Sequence, residues 1–162
     1  MKKLLFLAAT MLLTIAAFAE TIPANDSRVT YVGRTLVEGT DVSFDWTATY
    51  FRLSFSGRSL TMRATDTKWD ATPEMAATRH NYYNVWIDAP MSAEPHRIIE
   101  VASADTIIEL IDPAYLKKSK IKEHQVIVQK RTEGEQGKMT IHEFATDAKG
   151  VFHKAEPIRK RQ

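Results

Sequence analysis

Aromatic side chains offer the clearest binding chemistry in this 162-residue sequence. Trp69 lies in a stretch with no regular pattern, and Tyr82 and Trp86 share the outer face of a predicted strand. Because sugars present C–H patches that stack on aromatic faces, these three residues are candidates for carbohydrate binding. Binding and packing are equally supported for Trp69, but a tryptophan inside a strand usually buries most of its area, which favours packing for Trp86. Trp46 shares a face with Phe44 and is expected in the core.

A charged connection at residues 130–137 carries the second set of candidates. Arg131 and Glu133 lie between two predicted strands, and two glycines in the connection can take the positive φ that a tight or bulged turn needs. A polar connection of this kind is commonly just solvated, and the alternative is contact with another domain or a ligand. Arg131 and Glu133 are therefore candidates for domain docking or carbohydrate binding.

Catalytic motifs are missing from the sequence. It contains no Gly-Asp-Ser or Gly-x-Ser-x-Gly nucleophile motif, no glycine-rich phosphate loop and no His-Glu-x-x-His metal helix. Asp66, Asp70 and Asp88 flank an irregular stretch and would suit calcium, but aspartates are ordinary in turns. The histidines are scattered singly, at positions 80, 96, 124, 142 and 153. We therefore predict no catalytic residue, no metal site and no cofactor.

Residues 1–19 have the features of a secretory signal peptide. Two lysines precede an apolar run at 4–16, and Ala17-Phe18-Ala19 supplies small residues where a signal peptidase needs them. The apolar run is too short for a comfortable membrane span. We expect cleavage after Ala19 and a periplasmic or secreted product, with no membrane association afterwards. The sequence has no cysteine, so this product has no disulfide bonds.

The predicted mature chain is one domain without net charge. Removing 19 of 162 residues leaves 143, enough for one core. Two of the 22 basic residues leave with the signal, so 20 remain against 20 acidic residues. No overall field would attract nucleic acid, which we do not expect as a partner. We predict a folded domain over residues 20–150 and the start of a linker over 151–162.

Alternating apolar and polar residues predict strands along most of the chain. About nine such segments and almost no helix are found, at residues 29–36, 42–47, 51–56, 60–65, 82–87, 97–101, 106–111, 126–129 and 139–142. This spacing is typical of an all-β protein, a β-sandwich or jelly roll, with a lipocalin-like barrel as the alternative.

Some segments carry more specific expectations. Residues 126–129 and 139–142 should pair as a hairpin around the charged connection. Residues 106–111 are apolar on both faces, which predicts a strand deep in the sandwich. Residues 67–81 lack a period of two and should form a long surface loop. A further loop at 112–118 has room for a short helix.

Six motifs follow one another through the mature chain: Arg28-Val29-Thr30-Tyr31-Val32-Gly33-Arg34, Val42-Ser43-Phe44-Asp45-Trp46, Tyr50-Phe51, Met62-Arg63-Ala64, Tyr82-Tyr83-Asn84-Val85 and Gln129-Lys130-Arg131-Thr132-Glu133-Gly134. In type and order they resemble the amino-terminal domain of carbohydrate esterase family two. The resemblance implies a galactose-binding-like jelly roll that precedes an SGNH-type hydrolase domain. In that family the pair removes acetyl groups from plant polysaccharides such as xylan and mannan.

The hydrolase half of that family, with its Gly-Asp-Ser block, is expected to begin where this sequence ends. No catalytic residue is carried over, and we expect the chain alone to be inactive. The leading hypothesis is a non-catalytic accessory domain of an exported acetyl-polysaccharide esterase. Its partners would be the SGNH hydrolase domain and an acetylated plant polysaccharide. The alternatives are a free-standing carbohydrate-binding module and a structural or protein-binding sandwich.

Overall fold

The computed structural model describes residues 19–68, 81–101, 105–131 and 137–155. Twelve strands and one short helix occupy these described residues: β1 (Thr21–Pro23), β2 (Thr30–Val32), β3 (Leu36–Glu38), β4 (Asp41–Phe44), β5 (Tyr50–Ser56), β6 (Leu60–Lys68), β7 (Asn81–Ile87), β8 (Arg97–Val101), β9 (Thr106–Glu109), α1 (Pro113–Lys118), β10 (His124–Lys130), β11 (Gly137–Thr146) and β12 (Val151–His153).

The strands form two antiparallel sheets that face each other. Sheet A has the order β3-β4-β11-β6-β9, with β1 paired to β11. Sheet B has the order β12-β5-β10-β7-β8, with β2 paired to β5. Nothing helical in the described part of the chain has the length and apolar character of a membrane span. The predicted all-β sandwich is confirmed.

The apolar sides of the two sheets meet in one core. The ring centroids of Phe51 in β5 and Phe144 in β11 are 5.3 Å apart, and Tyr83 in β7 meets Phe44 in β4 edge-on at 6.5 Å. All four side chains are buried. Each such burial contributes about 1.5–3 kcal/mol relative to exposure, so these cross-sheet contacts are a main source of stability.

The faces predicted for residues 82–87 are confirmed. Tyr83, Val85 and Ile87 are buried and belong to the core cluster, so Tyr82 and Trp86 lie on the opposite face of β7. The period of two assigns these side chains to the correct faces because β7 pairs with β8 and β10 without a break in register.

The predicted hairpin is wrong. β10 pairs with β5 and β7 in sheet B, whereas β11 pairs with β1, β4 and β6 in sheet A. The connection between them therefore crosses from one sheet to the other. Alternation shows which side of a strand is apolar. Strands of both sheets turn their apolar side toward the same core, so alternation does not identify the sheet or the neighbouring strand with which a strand pairs.

The predicted position of 106–111 is also wrong. β9 is the last strand in the order of sheet A, and Ile107 is 71% exposed. Only Ile108 of this strand is buried, and Leu110 and Ile111 are buried after the strand ends. An apolar residue on each face does not require two covering layers, because single exposed apolar residues are common at protein surfaces.

Three predicted boundaries shift as well. The segment 29–36 divides into β2 and β3, which lie in different sheets, and Gly33 with φ +115° marks the break. The predicted start of the linker, residue 151, is too early in the chain. Val151–His153 still belongs to the domain, because it pairs with β5 and Phe152 is buried. The loop predicted at 67–81 begins only after β6, which extends to Lys68. Most of that loop lies outside the described residues.

The two ends of the described chain are held together around Glu20. Its carboxylate accepts hydrogen bonds from the Arg28 guanidinium at 2.7 Å and from the backbone N–H of Phe152 at 2.7 Å. Arg28 also binds Asp26 at 2.9 Å, and this hydrogen bond holds the pKa of the Asp26 carboxyl below its ordinary value. The ordered domain therefore includes the residue that follows the expected cleavage point.

The short helix is also confirmed within the predicted loop. Asp112 caps α1 by accepting a hydrogen bond from the backbone N–H of Ala114 at 2.7 Å, and Pro113 occupies the first turn. Both are standard features of a helix start. Leu116 is the buried residue of the helix.

Candidate functional site

The connection between β4 and β5, residues 45–49, presents an exposed tryptophan at the edge of the sandwich. β4 belongs to sheet A and β5 to sheet B, so these five residues, called the Trp46 turn, cross between layers about 10 Å apart. Trp46 is 52% exposed. The prediction that it lies in the core is wrong because β4 ends at Phe44, and the period of two does not continue into the turn.

Lys130 holds the Trp46 turn at three points. Its backbone N–H donates to the carbonyl of Thr49 at 3.1 Å, and its own carbonyl accepts from the N–H of Ala48 at 3.2 Å. Its side-chain ammonium donates to the carbonyls of Asp45, at 3.0 Å, and Gly137. Lys130 is only 2% exposed, although the sequence placed it in a charged surface connection. It is the last residue of β10 and points inward.

Carboxylates near Lys130 compensate its buried charge. Burial lowers the pKa of the Lys130 ammonium, and the nearby carboxylates of Asp66 and Asp45 act in the opposite direction. Asp66 is itself buried, and it accepts a hydrogen bond from the Asn81 amide at 2.6 Å. Burial and the adjacent Asp66 raise the pKa of the Tyr83 hydroxyl well above its ordinary value. An ionic group this costly to bury indicates that the position of the turn is closely specified.

Backbone geometry fixes the same turn. Ala48 has φ +64°, a left-handed conformation that is unusual for a residue other than glycine. Gly33 packs against the turn from the β2–β3 connection, where a Cβ atom would lie 2.7 Å from Oγ1 of Thr49. Thr49 is itself buried, so the backbones approach closely and leave little room for adjustment. This contact also places the next residue, Arg34, beside Trp46.

A cleft of about 230 Å³, called the Trp46 cleft, opens beside the turn. The guanidinium carbon of Arg34 lies 4.6 Å from the centroid of the Trp46 ring, in a cation–π arrangement. The other described residues that line it are a mixture of apolar, hydroxyl-bearing and charged side chains: Thr35, Leu36, Ser43, Phe44, Asp45 and Lys138. The cleft thus combines an aromatic surface with hydrogen-bond donors and acceptors.

The described residues among those singled out from the sequence, which are Tyr82, Trp86 and Arg131, are not among the described residues that line this cleft. Trp69 and Glu133 lie outside the described residues. Trp86 is 4% exposed, and its Nε1–H donates to the carbonyl of Ala93 at 2.8 Å, so it has no exposed face to offer a ligand. Tyr82 is half-buried, and its hydroxyl donates to Glu100 at 3.3 Å.

Arg131 lies near Tyr82 at the end of β10. Its backbone N–H donates to the Tyr82 carbonyl at 2.9 Å. Of the predicted residues, the structure therefore brings together these two. The two described candidates for calcium do not meet, because Asp66 binds Asn81 at the start of β7, whereas Asp88 follows the end of that strand. Asp70 is outside the described residues.

One histidine joins a hydrogen-bonded chain on the outer face of sheet A. Nδ1 of His142 lies 3.0 Å from the Asp41 carboxylate, and Nε2 lies 2.8 Å from the Thr65 hydroxyl. His124 forms a similar pair with Asp88 at 2.7 Å but is only 2% exposed. Among the described residues, no three histidine, aspartate or glutamate side chains are grouped as a metal site requires.

A family comparison identifies the domain. The model of the carbohydrate esterase 2 N-terminal family matches residues 31–155, well over half of the chain. This chain belongs to that family. The resemblance stated from the sequence motifs is thereby confirmed. A comparison with curated proteins finds no match.

Solved structures resemble this esterase N-terminal domain in fold. A family two carbohydrate esterase from Cellvibrio japonicus matches 89% of this chain and 37% of its own, with 19% identity and a TM-score of 0.65. The acetyl xylan esterase Est2A from the rumen bacterium Butyrivibrio proteoclasticus matches 88% of this chain and 35% of its own, with 11% identity and a TM-score of 0.62. The chain thus spans about a third of the length of these esterases.

A carbohydrate-binding domain also shares the sandwich. The CBM36-1 domain of a multidomain xylanase from the hindgut metagenome of Trinervitermes trinervoides matches 86% of this chain and all of its own, with 10% identity and a TM-score of 0.50. At these identities the likeness concerns the fold alone.

The esterase N-terminal domain therefore carries a cleft that sequence reasoning missed. Arg34 and Trp46 both belong to motifs that resemble the family, but the sequence pattern does not indicate Arg34 as a binding residue and predicts Trp46 in the core. A local signal exists for Trp46 alone: it falls between Phe44 and Phe51, which both face the core, and a connection between strands is expected in that interval. Large side chains are exposed more often in a connection than in a strand.

Proposed function

We propose that this chain is the accessory β-sandwich of an exported acetyl-polysaccharide esterase and that it does not itself cleave esters. The observation that carries the proposal is the family match over residues 31–155. The domain resembles esterases in fold and covers about a third of their length. This supports a role beside a separate SGNH hydrolase domain. In this role the sandwich braces the hydrolase domain.

The geometry around His142 supports a non-catalytic role. The Asp41–His142–Thr65 chain is ordered like a catalytic triad, with an acid, a histidine and a hydroxyl group. However, it lies on the outer face of a sheet, and Thr65 pairs with Thr140 of β11. The backbone of β6 is thus engaged in sheet pairing and does not present the N–H groups that stabilise an oxyanion. Cross-strand hydrogen bonding explains the arrangement better than nucleophilic attack.

An esterase assay tests the proposal. We expect the chain without residues 1–19 to release no acetate from 4-nitrophenyl acetate or acetylated xylan above the level of a buffer control. The variant His142→Ala should behave identically. Turnover by the chain that is lost in His142→Ala would overturn the non-catalytic assignment, since it would show that the Asp41–His142–Thr65 chain acts on esters.

Export is the second part of the proposal. Residues 1–19 have the pattern of a signal peptide, and the contacts of Glu20 with Arg28 and Phe152 give the first residue after cleavage a structural role. Mass spectrometry of the protein recovered from the periplasm or medium should give a chain beginning at Glu20. A product that retains residues 1–19 and stays in the cytoplasm would contradict this part.

The end of β10 is the surface we assign to the hydrolase domain. Arg131 lies there beside Tyr82, at the start of the charged connection predicted for docking. The variant Arg131→Glu should weaken association with a separately produced SGNH hydrolase domain in a pull-down, with Arg58→Glu as an exposed-arginine control. Equal binding by both variants would place the junction elsewhere.

A further inference from the structure

The Trp46 cleft has the chemistry that a sugar ring requires. Sugars combine C–H patches, which pack on an indole face, with hydroxyl groups that need donors and acceptors. Half of Trp46 remains exposed at the cleft. Lys138 and Arg34 contribute N–H donors and Asp45 contributes carboxylate acceptors along the same walls. Both kinds of contact are therefore within reach of one ligand.

The contact between Arg34 and Trp46 suits this task. The guanidinium lies over the indole ring at 4.6 Å from its centroid. The guanidinium carries five N–H donors in a planar fork, so this contact places hydrogen-bond donors next to an aromatic ring. The aromatic surface and a directed set of donors are thus presented side by side. A lysine could supply the charge at this position but not the planar donor arrangement.

The site is held rigid before any ligand arrives. The Trp46 turn is fixed by the buried Lys130, by the left-handed Ala48 and by the close packing of Gly33 on Thr49. A non-glycine residue in a strained conformation persists only where the surroundings enforce it, and such residues concentrate at binding sites. Rigid presentation also lowers the entropic cost of binding. A turn that only connected two strands would need none of these devices.

We propose that the Trp46 cleft is a binding subsite for one sugar ring of a polysaccharide chain. Its volume of about 230 Å³ is below the roughly 300–1,000 Å³ of pockets for drug-sized ligands, which suits one ring rather than an enclosed oligosaccharide. The proposal concerns this chain alone and does not depend on the hydrolase partner.

Affinity electrophoresis of the chain without residues 1–19, in gels containing xylan, mannan or pectin, tests the proposal. We expect retardation in at least one gel, and the polysaccharide that causes it identifies the source of the sugar. Trp46→Ala should weaken the affinity about tenfold, the effect of losing one aromatic contact. Arg34→Lys should weaken it less, and Trp46→Phe should retain part of the binding.

Ile107→Ala is the matched control, because Ile107 is a large, exposed apolar residue of the same sheet but lies on its far edge strand. It should bind as the unaltered chain does. The absence of retardation in all three gels, or equal retardation of Trp46→Ala and the unaltered chain, would overturn the proposal. Loss of hydrolase-domain binding in Trp46→Ala without retardation in any gel would also overturn it and would identify the cleft as a protein interface.

Discussion

The two described tryptophans have opposite environments in the same sandwich. Trp86 lies on the outer face of sheet B, opposite Ile127 of the neighbouring strand, and is 4% exposed. Its indole N–H is satisfied by the carbonyl of Ala93, in the connection that follows β7. Trp46 lies in a crossing turn, is 52% exposed and has Arg34 against its ring.

This difference separates a structural side chain from one that is available to a ligand. The outer face of a sheet need not be a binding surface, since the connection after β7 returns to Trp86 and supplies its hydrogen-bond acceptor. At Trp46 the order is reversed: the buried Lys130 and Thr49 fix the turn from below, and the Trp46 side chain is left at the surface. A fixed backbone beneath an exposed aromatic ring is the combination that binding requires.

The largest effect on folding should come from Trp86. Trp86→Ala removes a buried indole and should lower the free energy of unfolding by about 3–5 kcal/mol, measured by urea denaturation. Trp86→Phe retains the ring but leaves the Ala93 carbonyl without its donor, and should cost about 1 kcal/mol. A loss below about 1 kcal/mol for Trp86→Ala would mean that Trp86 is not structural, and the contrast with Trp46 would disappear.

Lys130→Met should have the next largest effect. The change removes the donor to the carbonyls of Asp45 and Gly137 and a cation that lies near the buried Asp66, so we expect a loss of about 2–3 kcal/mol. The Trp46 turn should also lose its fixed position, visible as a weaker near-ultraviolet circular dichroism signal. The exposed Lys138→Met is the control, with little change expected in stability. Equal effects of the two variants would show that Lys130 does not hold the turn.

Lys130 and Trp46 also show how far the sequence can predict this fold. The period of two assigned Tyr83, Val85 and Ile87 to the core, because it reports which side of a strand is apolar. It does not report where a strand ends or which sheet the strand joins. Trp46 was therefore assigned to the core and Lys130 to a surface connection, since both lie at points where the chain leaves one sheet for the other.

The cleft could not be predicted for the same reason. Arg34 and Trp46 meet only because β2 and β3 join different sheets and Gly33 packs on the crossing turn. These are contacts between distant parts of the chain, whereas alternation is a local pattern. The family resemblance indicated the sandwich correctly, but it did not indicate which surface residues converge.

Gly33→Ala should have an intermediate effect, and Gly39→Ala is its matched control. Both glycines have positive φ, but a Cβ at Gly33 would lie 2.7 Å from Oγ1 of the buried Thr49, whereas at Gly39 nothing lies within 4 Å. Gly39→Ala should cost about 1 kcal/mol from the left-handed conformation alone, and Gly33→Ala about 2–3 kcal/mol. Thermal denaturation of the two variants measures the difference. Equal losses would show that the approach of Gly33 to the turn is not tight.

The smallest effect on folding should come from Trp46→Ala. Only half of the side chain is buried, and the cation–π contact with Arg34 at an exposed site is worth about 0.5–1 kcal/mol, so the loss in unfolding free energy should be about 1 kcal/mol or less. Urea denaturation beside Trp86→Ala measures this. A loss equal to that of Trp86→Ala would make Trp46 a structural residue. A small loss of stability together with weakened polysaccharide binding would support the contrast between a structural Trp86 and a ligand-binding Trp46. The main contribution of the Trp46 ring would then be to binding and not to folding.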